Sequence, residues 1–250
     1  YKAAVMLFLH GGADTWNMLV PQDCNVYQEY VDIRTDLAMR PNELLKFSTT
    51  GQVCQNFGMH VQLGFFKNLY DDGDAAWISN VGNLPEPTTK QEYRERSKMR
   101  CHGLFSHSDQ QNAAQTLKCQ EMGTGSKGAG GRIADALAMG PQKFHTTSFS
   151  LAGSNVWPQG RITRREIVSD NANLGFHDYE RWRPTMVNIT AQVHGNAYAE
   201  AYSKAFRDNM ETTQKLIRAA ESAQLMTNYN TGNRFRRELQ QVSKLIRARE

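Results

Sequence analysis

The chain has 250 residues, 40% of them hydrophobic, and its 29 Lys and Arg against 25 Asp and Glu leave a formal charge of +4. That length makes one large domain or at most two, with enough apolar material for a core. No run of about 18 apolar residues occurs, which excludes a membrane-spanning helix. The basic residues gather locally at 94–100, 161–165 and 234–237 with no recognition motif beside them, which argues against a nucleic-acid-binding protein.

The first stretch, Val5-Met-Leu-Phe-Leu9, reads as a strand buried on both faces, as in a parallel sheet covered by helices. His10-Gly11-Gly12 breaks it, and Asp14 arrives just past its carboxyl end, where open α/β sheets bind ligands. A carboxylate reached through two glycines, which permit close backbone approach, is a starting point for a metal or phosphate site. The same residues also read as an ordinary turn in which Asp14 caps the next element.

Apolar spacing predicts helices over 27–39 and 61–70, the first stopped by Pro41 and the second by Asp71-Asp72-Gly73. Residues 75–81 make a second predicted strand, and 88–103 a long polar loop. The stretch 106–116, opening Ser106-His107-Ser108-Asp109, begins a helix. Five glycines fall in the nine residues 123–131, a flexible or phosphate-facing segment that lacks the Gly-Lys-Ser/Thr order of a P-loop. A short helix over 131–139 and a third strand over 147–152 follow, and residues 154–195 show no lasting periodicity. Two amphipathic helices, about 196–224 and 234–249, close the chain. Strand, helix, helix and strand in this order predict a parallel α/β sheet.

Several motifs carry a family likeness. Leu9-x-Gly11-Gly12-x-Asp14-x-x-Asn17-Met-Leu-Val-Pro21 resembles the opening motif of a family of exported proteins, domain-of-unknown-function 1501, which is placed in the alkaline phosphatase-like superfamily. Tyr30-x-x-Ile33-Arg34-x-x-Leu37-Ala38, Phe57-Gly58-Met59-His60, Leu69-Tyr70-Asp71-x-Gly73, Asn80-Val-Gly-Asn83 and Gly131-Arg132-Ile-Ala-Asp135 are similar to further blocks of that family, in the same order. The resemblance implies a three-layer αβα domain with a mostly parallel sheet, alkaline phosphatase-like. Residues 1–250 would be the N-terminal part of that domain, incomplete at the C-terminus, with an irregular insertion at about 154–195. It also implies a processed N-terminus and a secreted or extracytoplasmic protein.

The superfamily sets a Ser or Thr nucleophile at a helix start above a pair of metals, where helix-end N–H groups favour a phosphoryl group. By resemblance Ser106 would be the catalytic residue, Asp14 and Asn17 metal ligands, and His60 and His107 neighbours of the site, with Asp14 and Ser106 facing one cleft. Ser106 and Ser108 equally suit helix capping, with Asp109 and Gln111 as their third residues on. The ion would be zinc, magnesium or calcium. Its other family ligands, on Gly-x-Asp-Thr-His and Asp-His-Gly segments, do not occur here, so the remainder of a longer chain or a partner subunit is the expected complement. Two functions result: a phosphate or sulfate ester hydrolase completed elsewhere, or a non-catalytic secreted structural or binding subunit of an extracellular assembly.

Cys24, Cys54, Cys101 and Cys119 allow three pairings or four free thiols. Export, implied by resemblance, favours disulfides, and we expect Cys24–Cys54 and Cys101–Cys119, each closing a local loop beside a site segment. Asn188-Ile-Thr190 is the one N-glycosylation sequon, expected to be used if the source is eukaryotic.

Overall fold

The computed structural model describes residues 2–121, 125–168 and 178–248. The chain divides into two compact units, Leu7–Gly82 and Asn83–Glu250 together with Tyr1–Met6.

The Leu7–Gly82 unit is built on a three-stranded antiparallel sheet. β1 (Leu19–Gln22) and β2 (Leu44–Ser48) flank β3 (Asn56–His60). Leu19 and Leu45 stand opposite Met59, and Val20 and Lys46 opposite Gly58. In β1 burial alternates residue by residue, the mark of a sheet with one face on a core. Gly58 is required by close approach, since a Cβ there would stand 2.7 Å from the Leu44 Cβ. Helix α1 (Asn25–Arg34) packs Tyr30 against Val20 and Leu44, with Tyr27, Val31, Ala38 and Met39 around them. A disulfide between Cys24 and Cys54 ties the start of α1 to the β2–β3 connection. Helix α2 (Gly64–Asp71) follows β3, and its Tyr70 ring rests 4.6 Å from that of buried Phe47.

The second unit is mainly helical. Short α3 (Lys90–Glu95) starts at a capping box in which Thr89 and Glu92 exchange hydrogen bonds. Helices α4 (His107–Thr116) and α5 (Ala129–Met139) precede a parallel pair of three-residue strands, β4 (Ser148–Ser150) and β5 (Arg165–Ile167). Helices α6 (Tyr179–Ala191), α7 (Ala197–Ser222) and α8 (Arg234–Arg247) complete it, α7 packing against both α6 and α8. Asn196 and Asn233 cap α7 and α8 by accepting from backbone N–H groups of the first turn. Among the described residues no helix is long and apolar enough to cross a membrane.

The expected three-layer domain with a mostly parallel sheet does not form: the principal sheet is antiparallel, and among the described residues the parallel pairing is limited to β4 and β5. Residues 5–9 and 75–81, predicted as its buried strands, are not in strands, and Val5, Leu7, Leu9, Ile78 and Val81 are all exposed. An apolar run is necessary for a strand buried on both faces but supplies no partner, and these runs find none. The strands that do form are short and half-buried and carry Pro21 and Gly58 within them, features that hid them in the sequence. The third predicted strand, 147–152, survives as β4, while residues 179–191, read as irregular, form α6 with Pro184 inside it.

Candidate functional site

Within the Leu7–Gly82 unit a cleft of about 1300 Å³ opens between the Thr15–Asn17 turn, the end of α1 and the segment that follows β3. Asp14, Asn17 and His60, three of the residues singled out in the sequence, all line it. Its walls also carry Asp36, Arg40 and Glu43, with Met18, Tyr27, Val31, Leu37 and Met39 supplying apolar surface. Three carboxylates and one guanidinium line it, and Arg34 pairs with Asp14, so the balance is acidic by one charge.

The cleft is held by a polar network rooted in the core. Buried Tyr30 donates its hydroxyl to Asn17 Oδ1 at 2.6 Å and accepts from the Met39 N–H at 2.8 Å. Asn17 Nδ2 donates to the Leu37 carbonyl at 3.1 Å, and the Tyr27 hydroxyl to the Met39 carbonyl at 3.2 Å. Burial, then the neighbouring Tyr30 and the Glu43 carboxylate, push the Tyr27 phenol above its ordinary value, so it remains a neutral donor. His60 Nδ1 accepts from the Gln62 N–H at 3.1 Å and so caps the Val61–Leu63 turn.

Asp14 and Asn17 do not fit a divalent ion as they stand. The Asp14 carboxylate is paired with Arg34, and both polar atoms of the Asn17 side chain are engaged by Tyr30 and Leu37. Among the described residues no three His, Cys, Asp or Glu side chains are grouped to hold a metal. Sequence reasoning missed Asp36 and Glu43. It found Tyr30 and Arg34 only as a matched segment, and their geometry now explains that spacing: one turn apart on α1, they reach Asn17 and Asp14 respectively.

Ser106 and His107 belong to the other unit. Ser106 is the N-cap of α4, its Oγ accepting from the Asp109 N–H at 3.4 Å and lying 3.2 Å from the Ser108 hydroxyl. His107 is exposed at the first helical position.

The Gly131-Arg-Ile-Ala-Asp135 motif has a structural task. A Cβ on Gly131 would overlap the backbone of Gln159 and Gly160, and one on Gly130 would stand 2.7 Å from the Trp157 ring. The Gly128 N–H donates to the Gln159 carbonyl and the Gly131 N–H to the Trp157 carbonyl, each at 2.9 Å. Glycines 128, 130 and 131 are therefore packed tightly against the 156–160 segment. Burial works against the charge of Asp135, but N–H donors from Thr163 at 2.7 Å, Arg161 at 2.5 Å and Ile162 at 3.2 Å outweigh it. They hold the carboxyl below its ordinary range.

Both expected disulfides are present, Cys24–Cys54 and Cys101–Cys119, and no described cysteine is free. Asn188 lies on α6 rather than in irregular chain and is exposed, while the Thr190 hydroxyl of its sequon is buried and donates to the Met186 carbonyl at 2.9 Å. No family model matches the chain, and searches of characterised proteins and of solved structures find no match either.

Proposed function

We propose that the chain is an exported, disulfide-stapled binding protein whose Leu7–Gly82 cleft takes a basic, partly apolar peptide segment. One observation carries this reading: Asp14, Asp36 and Glu43 line the cleft with Arg40, Asp14 being paired with Arg34, so carboxylates exceed cations by one beside a wall of Met18, Val31, Leu37 and Met39. Its volume of about 1300 Å³ exceeds the usual small-molecule pocket and suits an extended ligand. A cationic side chain would gain from the carboxylates, and its stem from the apolar wall. Two disulfides favour an oxidising compartment, and with it the export that the motif resemblance implies. In a eukaryotic secretory route, exposed Asn188 would be glycosylated.

An ester hydrolase draws support from the gathering of Asp14, Asn17 and His60 in one cleft, but the engagement of both polar atoms of Asn17 favours binding over metal chemistry. The test is a titration with a fluorescent peptide of alternating Lys and Leu, with the matched Glu/Leu peptide as control. Saturable binding of the basic peptide alone, weakened by salt, is the expected result. Equal binding of both peptides, or turnover of a phosphate or sulfate ester by the purified protein, would refute the reading.

A further inference from the structure

A second cavity lies in the other unit, beside the Cys101–Cys119 disulfide, and its charge is of the opposite sign. It measures about 510 Å³ and is lined by Arg96, Lys98, Arg100 and His102, with Met99 and Cys101 as its apolar surface. Among the described residues no carboxylate lines it.

The nearby acids are committed to other partners. Glu86 accepts from the Met99 N–H at 3.0 Å, Glu92 accepts from Thr89 at 2.8 Å, and Glu121 pairs with Lys118 at 2.6 Å. Lys98 is partly spent, donating to the Pro87 carbonyl at 2.8 Å and lying 3.4 Å from Glu92. The two arginines are not so engaged. Arg100 stacks its guanidinium 4.2 Å from the Tyr93 ring centroid, which satisfies its face and leaves its edge, and its Nε is buried without a hydrogen-bond partner. Arg96 occupies the left-handed position that ends α3, with φ 57°. That turns the chain sharply, so Arg96 and Arg100 meet around one hollow. The disulfide and the His102 N–H bond to the Cys119 carbonyl, at 2.9 Å, pin the far side.

We infer that this cavity is a binding site for a tetrahedral oxyanion, a phosphate or sulfate group borne on a small organic ester. Guanidinium forks match the oxygens of such groups in a bidentate fashion, which a chance surface lysine cluster does not. The volume exceeds what a bare ion fills, and Met99 with the disulfide offers the organic part an apolar wall. This inference stands apart from the peptide cleft, which lies in the other unit, so either can fail alone.

The experiment is calorimetric titration of the full chain with inorganic phosphate, inorganic sulfate, phenyl phosphate and phenyl sulfate at matched ionic strength. Saturable binding at one site is expected, with Arg96→Gln and Arg100→Gln each weakening it by about tenfold or more and exposed Arg218→Gln leaving it unchanged. Tighter binding of the esters identifies the ester as ligand, and equal binding the free ion; both uphold the site. Should either variant fold poorly, dicarbonyl modification of Arg96 and Arg100 in the wild-type chain, read by peptide mass, must slow when phosphate is added. Absence of saturable binding, indifference to both folded variants, or modification unaffected by phosphate would overturn the proposal.

Discussion

Asp14 and Asp135 close two motifs that look alike on the page, Gly-Gly-x-Asp and Gly-Arg-x-x-Asp, and they do opposite work. Asp135 is buried and spends its charge on three backbone N–H groups of the 161–163 turn, from a helix whose glycines let that segment come close. Asp14 is exposed on the lip of a cleft, held by one ion pair to Arg34. A carboxylate whose lone pairs are consumed by the fold stabilises the fold. One that lines an open hollow and is tied by a single half-exposed ion pair can exchange that partner for a ligand's cation. Sequence spacing cannot separate the two cases, because what differs is the company each side chain keeps in space.

Gly131→Ala attacks the structural side of the contrast hardest. The added methyl has no room against Gln159 and Gly160, and a loss of about 3 kcal/mol is expected, read as a lowered midpoint in urea. An unchanged midpoint would mean that the 156–160 segment is not seated on α5.

Asp135→Asn comes next, at about 1–3 kcal/mol, because an amide cannot accept from all three N–H groups. Its pH dependence sharpens the point. The folded carboxyl titrates below its ordinary value, so its stabilisation is complete above the unfolded pKa and is lost as pH falls through the lower folded one. The gap between wild type and Asp135→Asn should therefore close on acidification below about pH 4. A gap that widens there would contradict the assignment.

Tyr30→Phe leaves Asn17 and the Met39 N–H without their shared partner and should cost about 1 kcal/mol while loosening the cleft wall. Amide exchange at Met39 should quicken. Asp14→Asn should change stability least, by about 1 kcal/mol or less, since the carboxylate it removes is about half exposed, although its Arg34 partner is mostly buried. Its effect belongs in ligand binding.

The helices were the legible part of this fold. Apolar spacing anticipates α1, α2, α7 and α8, although it carries α1 five residues too far, and the helices at α4 and α5 were placed as well, since a helix face is written locally in the chain. α3 was within reach too, through the Thr89-x-x-Glu92 capping box, which the prolines at 85 and 87 obscured. The sheet was not legible. The partners of Leu19–Gln22 lie some forty residues away at Asn56–His60, and pairing over that distance leaves no periodicity to read. Val5 to Leu9 misled for the converse reason, a strand-like composition with no neighbour to join. At the cleft, resemblance picked out Asp14, Asn17 and His60. It could not foresee that Tyr30 and Leu37 would occupy Asn17, nor that Asp36 and Glu43 would join the lining.

The contrast is tested most directly by measuring binding and stability on the same samples of wild type, Asp135→Asn and the double variant Asp14→Asn/Asp36→Asn. The double variant should bind the Lys/Leu peptide at least about tenfold more weakly at an almost unchanged urea midpoint, and Asp135→Asn should show the reverse, a lowered midpoint with peptide affinity intact. A double variant that unfolds early yet binds normally, or an Asp135→Asn protein that is fully stable, would contradict the division of labour between these carboxylates.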